Sequence, residues 1–448
     1  MKKLALLLAL SPVLLAAAPV SPVAIADDVK AENLRANIER LVSFGTRHTL
    51  SDPSDPRRGI VAAQKWTEQE FRRYSKACGN CLEIVTVADT VTGPRIPNPS
   101  RVQNVIAIQR GTTDPKRVVV ITGHIDSRVT DVMNAASDSP GANDDGSGTA
   151  AVIEAARVLS KHKFPGTIVY APLAGEEQGL VGAKILAAYA KAQGWQIVAN
   201  LNNDMIGNTE GQDGTRDSRH IRVFSEGIRA DAANPEYLAL VRRLSGENDS
   251  PSRNLSRWLD SFADTLPFGL DVRQIWRNDR FGRGGDHSEF LNAGFPGVRI
   301  TEALENYNRQ HQDLRTENGI AYGDVIEGID FDYFERSTKF NVAALAALAR
   351  APMPPEPTVE GAVKPDTTLS WKPVPGAAAY LIRWRPTDAA NWQESIRVPA
   401  GGTSHVLKGI RIDDWVFGMS SVSADGYESP VASAVPGGAF RPYTPPAK

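Results

Sequence analysis

The chain has 448 residues and is nearly charge-balanced, with 50 Lys and Arg against 52 Asp and Glu, 42% hydrophobic and 23% charged residues. This is ordinary globular usage, and it excludes a long disordered chain, a collagen-like fibre and a strongly basic nucleic-acid binder. The length implies roughly two to three domains and ample chain to bury a core.

Met1-Lys2-Lys3, the apolar stretch Leu4 to Leu15 and the small-x-small site Ala24-Ile25-Ala26 predict a secretory signal peptide over residues 1–26. The mature protein is therefore expected outside the cytoplasm, secreted or periplasmic, with no membrane association after signal removal. In that setting Cys78 and Cys81, in Cys-Gly-Asn-Cys, are expected to form a disulfide.

Helical spacing covers Val29 to Phe44 and Gly59 to Ala77. Leu82 to Val91 and Val102 to Ile108 are β-branched runs. Val118 to Ile121 is continuously apolar, the mark of a strand buried on both faces. A helix signal over Gly148 to Leu159, a strand over Ile168 to Ala171 and a helix over Val181 to Ala190 follow. Ile197 to Leu201 and Val298 to Ile300 read as strands, and Val325 to Ala349 as a long helix. The alternation predicts an α/β three-layer sandwich with a mixed, mostly parallel central sheet. Residues 208–285 are polar and read as excursions or lids.

Pro352, Pro354, Pro355 and Pro357 mark a stiff linker over 351–358. Beyond it, over 359–448, short alternating runs such as Thr368 to Trp371, Ala379 to Trp384 and Trp415 to Met419 predict a small all-β sandwich. These runs and Ala-Asp-Gly-Tyr-Glu-Ser-Pro resemble a fibronectin type III module. Trp371, Tyr380 and Trp384 are expected in its core.

Acidic and His residues recur where the predicted strands end. The strand through Ile121 runs into Thr-Gly-His124-Ile-Asp126, where alternate residues project to one side. Asn143-Asp144-Asp145-Gly146-Ser147-Gly148 leads straight into a helix, without the Gly-Lys-Ser/Thr of a phosphate loop. Glu176-Glu177 follows the strand ending near Ala171. Two adjacent carboxylates at a buried strand's exit are costly unless metal or protons neutralise them. Asn202-Asn203-Asp204 repeats the pattern, and His311 follows the strand at Val298. Each fragment alone also suits a solvated turn or an N-cap; together they converge on one edge of one sheet.

This set, in this order, resembles the secreted dizinc aminopeptidases of the bacterial leucyl aminopeptidase and aminopeptidase Y type, over about residues 30–350. The resemblance implies a peptidase domain over 27–350 holding two Zn2+ per chain. His124 and Asp204 would hold one ion, Glu177 and His311 the other, and Asp144 both. Glu176 would be the general base and Asp126 the residue that orients His124. It also implies a cis Asp144-Asp145 peptide, and hydrolysis of N-terminal peptide bonds by a hydroxide bridging the metals. The donors suit zinc, with manganese or cobalt as alternatives. Asp286 and His287 would be pocket residues, not ligands. Gln310 stands where some relatives carry a tyrosine, with Tyr307 nearby. His48 is expected to be structural, and His162, His220 and His405 exposed. Peptide or protein N-termini are the expected substrate, with no nucleic-acid partner. A related dizinc carboxypeptidase or amidohydrolase, and a non-catalytic peptidase-fold binding protein, are the competing readings.

Overall fold

A computed structural model describes residues 20–231 and 234–442. Helices α1 (Pro22–Ala26), α2 (Ala31–Val42) and α3 (Gly59–Ala77) precede a long hairpin of β1 (Leu82–Gly93) and β2 (Ile96–Gln109). Strands and helices then alternate through β3 (Asp114–His124), α4 (Gly146–Leu159), β4 (Gly166–Leu173), α5 (Val181–Ala192) and β5 (Gln196–Asn203). Next come β6 (His220–Phe224), α6 (Pro235–Arg243), α7 (Pro251–Ala263), β7 (Asp271–Ile275), α8 (His287–Asn292) and β8 (Gly297–Glu302). A small hairpin, β9 (Arg315–Glu317) and β10 (Ile320–Tyr322), precedes helix α9 (Phe331–Arg350), which Asp330 caps by accepting from the Tyr333 N–H.

Strands β1 to β8 form one mixed sheet in the order β1-β2-β4-β3-β5-β8-β6-β7. The central pairs β3–β4, β3–β5 and β5–β8 are parallel, while β1–β2, β2–β4 and β6–β8 are antiparallel. Successive side chains on a strand point to opposite faces, and β3 shows the consequence. Val119 and Ile121 join the core beneath α2, α3, α4 and α9, whereas Val118 and Val120 join the core beneath α5 and α8. The expected three-layer sandwich is therefore present. The disulfide Cys78–Cys81 is formed at the end of α3.

The expected cut after Ala26 does not suit this fold. Ser21 caps α1 by accepting from the Ala24 N–H, and Ile25 and Ala26 are buried in the core cluster that contains α9. A chain beginning at Asp27 would lose that helix and uncover part of α9. Residues 1–19 lie outside the described residues. Among those described, no helix is long and apolar enough to cross a membrane.

The polar region 208–285 is not mainly lid. It supplies β6 and β7, which extend the sheet, and α7, whose Arg253, Asn254 and Arg257 are buried. Asn254 and Arg257 are inside because they meet the C-terminal segment at Ser433 and Ala390, whereas Arg253 is held by Ser225 and Asn248.

That segment forms two antiparallel sheets. One contains β11 (Thr358–Glu360), β12 (Thr367–Ser370) and β15 (Ser404–Leu407). The other contains β14 (Glu394–Pro399), β13 (Ala379–Pro386), β16 (Trp415–Val422) and β17 (Ala432–Ser433). Leu369, Tyr380, Ile382, Phe417 and Met419 fill the space between them, and Trp371 packs edge-on against Tyr380; these two aromatic residues are core as expected, while Trp384 is half-buried against the cluster. The segment expected as a stiff linker is itself buried from Ala351 to Pro355. The sheets dock on α7. The Trp258 indole donates to the Glu428 carbonyl (3.0 Å), Asn254 donates to the Ser433 hydroxyl (2.7 Å), and Arg229 donates to the carbonyls of Ala439 and Arg441 (2.6 Å each).

Candidate metal centre

Because β3, β4 and β5 run parallel, their C-terminal ends lie side by side. His124 is paired with Leu173, and Thr122 with Asn202. His124 therefore ends β3 beside the turn carrying Glu176 and Glu177 after β4, with Asp204 just past β5. The N-terminus of α4 drives into the same corner. A Cβ on Gly123 would meet the Gly148 backbone at 2.5 Å, and one on Gly148 would meet the Asn203 carbonyl at 2.3 Å. Only glycine at both positions lets helix and strands approach this closely. Asp145 locks the corner by accepting from the N–H groups of His124 (2.8 Å), Gly148 (2.8 Å) and Met205 (3.1 Å). The Asp144-Asp145 peptide is cis.

Asp144 lies between the two histidines. Its Oδ1 is 3.1 Å from His124 Nε2 and its Oδ2 is 2.8 Å from His311 Nε2. His311 Nε2 is also 2.9 Å from Glu177 Oε1, and His124 Nε2 is 4.0 Å from Asp204 Oδ1. All five residues named as ligands are thus brought together. Ligand atoms of His124, Asp144 and Glu177 lie within 4.8 Å of one another, as do those of His124, Glu176 and Asp204.

Asp126 supports this group differently from expectation. The nearest acceptor for His124 Nδ1 is the Asp126 backbone carbonyl (3.0 Å), while its carboxylate stands at 3.6 Å. That carboxylate instead accepts from the Thr49 hydroxyl (3.1 Å) and the backbone N–H groups of Glu176 (3.3 Å) and Glu177 (3.1 Å). It fixes the turn that carries both glutamates. Asp126→Ala is expected to lower both metal affinity and kcat/KM by about 10–100-fold, the usual effect of removing a group that orients ligands; metal titration beside steady-state kinetics measures it.

Burial, with Glu177, Asp204 and Asp126 adding negative charge nearby, pushes the Glu176 carboxyl up to about 8. Burial acts on Glu177 in the same direction, but His311 and Arg128 outweigh it and hold that carboxyl down to about 2. Asp286 is buried with neither carboxylate oxygen hydrogen-bonded; burial first, then Glu176, raises it well above the usual range. Two adjacent glutamates thus differ sharply: burial favours the neutral form of Glu176, while Glu177 is held as an anion.

The sequence pattern of peptidase family M28 matches residues 104–327, the span that holds all of these groups. The chain belongs to peptidase family M28. Two fungal relatives, each named "Probable zinc metalloprotease", are 44% identical. The protein of Pyrenophora tritici-repentis aligns over 92% of this chain and 86% of its own length, that of Leptosphaeria maculans over 92% and 96%. The LapA aminopeptidase of Legionella pneumophila shares the fold, with a TM-score of 0.53 at 20% identity over 77% of this chain and 80% of its own.

The donors of this M28 peptidase fit a metal. Three carboxylates and two imidazoles meet in a buried corner, and Glu177 Oε1 receives no hydrogen bond there. Nitrogen and oxygen donors of this kind suit zinc. His48 is not part of the group: its Nδ1 accepts from the Leu50 N–H (3.0 Å) and its Nε2 faces the Val132 carbonyl (2.9 Å), a structural role as expected. His162, His220 and His405 are half-buried instead of exposed, and none lines the cleft. Gln310 is committed to Asp144 through its Nε2 (3.1 Å), while Tyr307 lines the cleft and is exposed.

Several residues at this site escaped the sequence reading. Arg128 donates to Glu177 Oε2 (2.7 Å) and places Nη2 at 2.5 Å from His311 Nδ1. Its place four residues after His124 was an available signal. Arg299 bonds the Asp204 carboxylate from within β8. An arginine between Val298 and Ile300 in a fully buried strand is itself such a signal. Asp324 accepts from the N–H groups of Asn143 and Asp144, and nothing in the surrounding sequence marks it.

Proposed function

We propose that this M28 peptidase is an exported zinc aminopeptidase that uses two Zn2+ per chain to remove N-terminal residues from peptides and proteins. The observation that carries the reading is Asp144, whose two oxygens face different histidines, as a carboxylate shared by two cations would. His124 and Asp204 belong on one side of it, Glu177 and His311 on the other. Zinc bound there supplies a Lewis acid for the scissile carbonyl and makes water easier to deprotonate. Glu176 takes that proton as water attacks the carbonyl carbon, then delivers it to the departing amine. Asp126 keeps both glutamates in register, and Arg128 pairs with Glu177 Oε2, leaving Oε1 for a metal. Glu176, His124 and the other donors are all chemically competent, which favours an enzyme over a binding protein.

Peptides with free and with acetylated N-termini, followed by mass spectrometry before and after chelation, test the reading. Stepwise shortening from free N-termini, lost with a chelator and restored by zinc, is expected. Release of C-terminal residues, or cleavage of acylated peptides alone, would replace it with the carboxypeptidase or amidohydrolase reading.

Export requires a leader that spares α1. The Ala16-Ala17-Ala18 tract satisfies the small-x-small rule upstream of the Ser21 cap. The N-terminus of the exported protein, read by mass spectrometry, is therefore expected before Ser21; a start at Asp27 would contradict this. The C-terminal pair of sheets, three strands facing four, suits a fibronectin type III-like module docked as part of the structure.

A further inference from the structure

The cleft in front of Asp144 has a volume of about 700 Å3, and its walls are highly charged. Arg95, Arg128, Arg280 and Arg283 line it, facing the carboxylates of Asp144, Glu176, Glu177 and Asp204. Among the described residues only Leu180 and Tyr307 offer sizeable apolar side chains there. Two of the arginines are fully engaged. Arg128 uses Nε on Glu177, Nη1 on the carbonyls of Val129 and Thr130, and Nη2 on His311. Arg280 uses Nε on Asp279, Nη1 on Glu305 and Nη2 on the Gly284 carbonyl.

The other two are not. Arg95 bonds only through Nη1, to the Glu177 carbonyl (2.8 Å), and Arg283 only through Nη1, to Glu305 (3.2 Å) and Gln310 (3.4 Å). In each, Nε and Nη2 have no protein partner among the described residues. They reach the cleft from opposite edges of the sheet, Arg95 from the turn between β1 and β2, Arg283 from the loop between β7 and α8. A guanidinium with adjacent free N–H groups matches a carboxylate in geometry and charge. Resting on the two-cation reading above, the cations balance the four carboxylates, so the arginines leave the loaded cleft net positive.

We propose that the cleft selects peptides bearing a carboxylate beside the scissile bond, held by Arg95 and Arg283. Two sources share that chemistry: an acidic side chain on the residue removed, or the free C-terminus of a very short peptide. A large apolar residue finds little surface in such a cleft, and a neutral amide forfeits the ion pair.

The zinc-loaded full chain should be assayed on tripeptides beginning with Glu, Gln or Leu, each as the C-terminal amide and as the free acid. The same six peptides should be titrated calorimetrically into Glu176→Gln protein, so that binding is read without turnover. In the amide series Glu is expected to exceed Gln and Leu at least tenfold in kcat/KM, mainly through KM. A preference for free acids whatever the first residue would assign the carboxylate to the chain terminus. In either case Arg95→Gln and Arg283→Gln, with metal content verified, are expected to shrink the preference about tenfold. Equal binding and equal turnover across all six peptides would overturn the proposal. If no peptide is cleaved, the aminopeptidase reading fails, and the calorimetric preference still decides for or against carboxylate selection.

Discussion

Glu176→Gln is expected to lower kcat by about 10²–10⁴-fold while the protein keeps its metal. The amide preserves the shape of the side chain but cannot accept a proton from attacking water. The rival role is explicit in the geometry, because Glu176 lies within 4.8 Å of ligand atoms of both His124 and Asp204. Metal content decides between them. If Glu176→Gln loses one metal equivalent, Glu176 is a ligand and the assignment of the two glutamates is wrong. Glu177→Gln provides the contrast. Its carboxylate faces His311 at 2.9 Å and is held ionised by His311 and, to a smaller extent, Arg128, so its loss is expected to weaken binding of one metal, and excess zinc is expected to restore part of the activity.

The largest effect on stability is expected at Asp249, far from the cleft. Its carboxylate accepts from Arg385 on both oxygens (2.9 and 2.8 Å), from Arg257 (3.2 Å) and from the Ser433 hydroxyl (3.2 Å), and the three charged residues are almost completely buried. Arg257 belongs to α7, whereas Arg385 and Ser433 belong to the C-terminal sheets, so this one side chain ties the two parts together. Asp249→Ala strands two buried guanidinium groups and is expected to cost about 3–5 kcal/mol. Urea unfolding gives the loss, and limited proteolysis reports whether the C-terminal segment is released. Arg385→Met in the Asp249→Ala background removes one stranded charge and is expected to recover part of the loss. A cost below about 1 kcal/mol would mean that the pair behaves as an exposed one and that docking depends on other contacts.

These two sites differ in how far the sequence revealed them. Val118 to Ile121 read as a strand buried on both faces because apolar side chains were needed for two cores, and both are present. His124, Asp144, Glu177, Asp204 and His311 stood out because ionisable groups at the exits of buried strands have few bland explanations. Strand β6, His-Ile-Arg-Val-Phe, was missed because it is short and its Arg222 reaches out to Glu305. Helix α7 was missed for another reason. Its buried Asn254 and Arg257 look like a solvated face until the C-terminal segment covers them, which periodicity within one segment does not convey. The same limit hid Arg95 and Arg283, which belong to ordinary polar loops in sequence and meet only when opposite edges of the sheet fold over one cleft.

The central claim is that two metals flank Asp144 and that Glu176 ligates neither. Anomalous diffraction at the zinc edge, from crystals of the zinc-loaded protein, tests it most directly. Two peaks are predicted, one among His124, Asp144 and Asp204 and the other among Asp144, Glu177 and His311, with Glu176 contacting neither ion. A single peak, or a peak ligated by Glu176, would contradict the account.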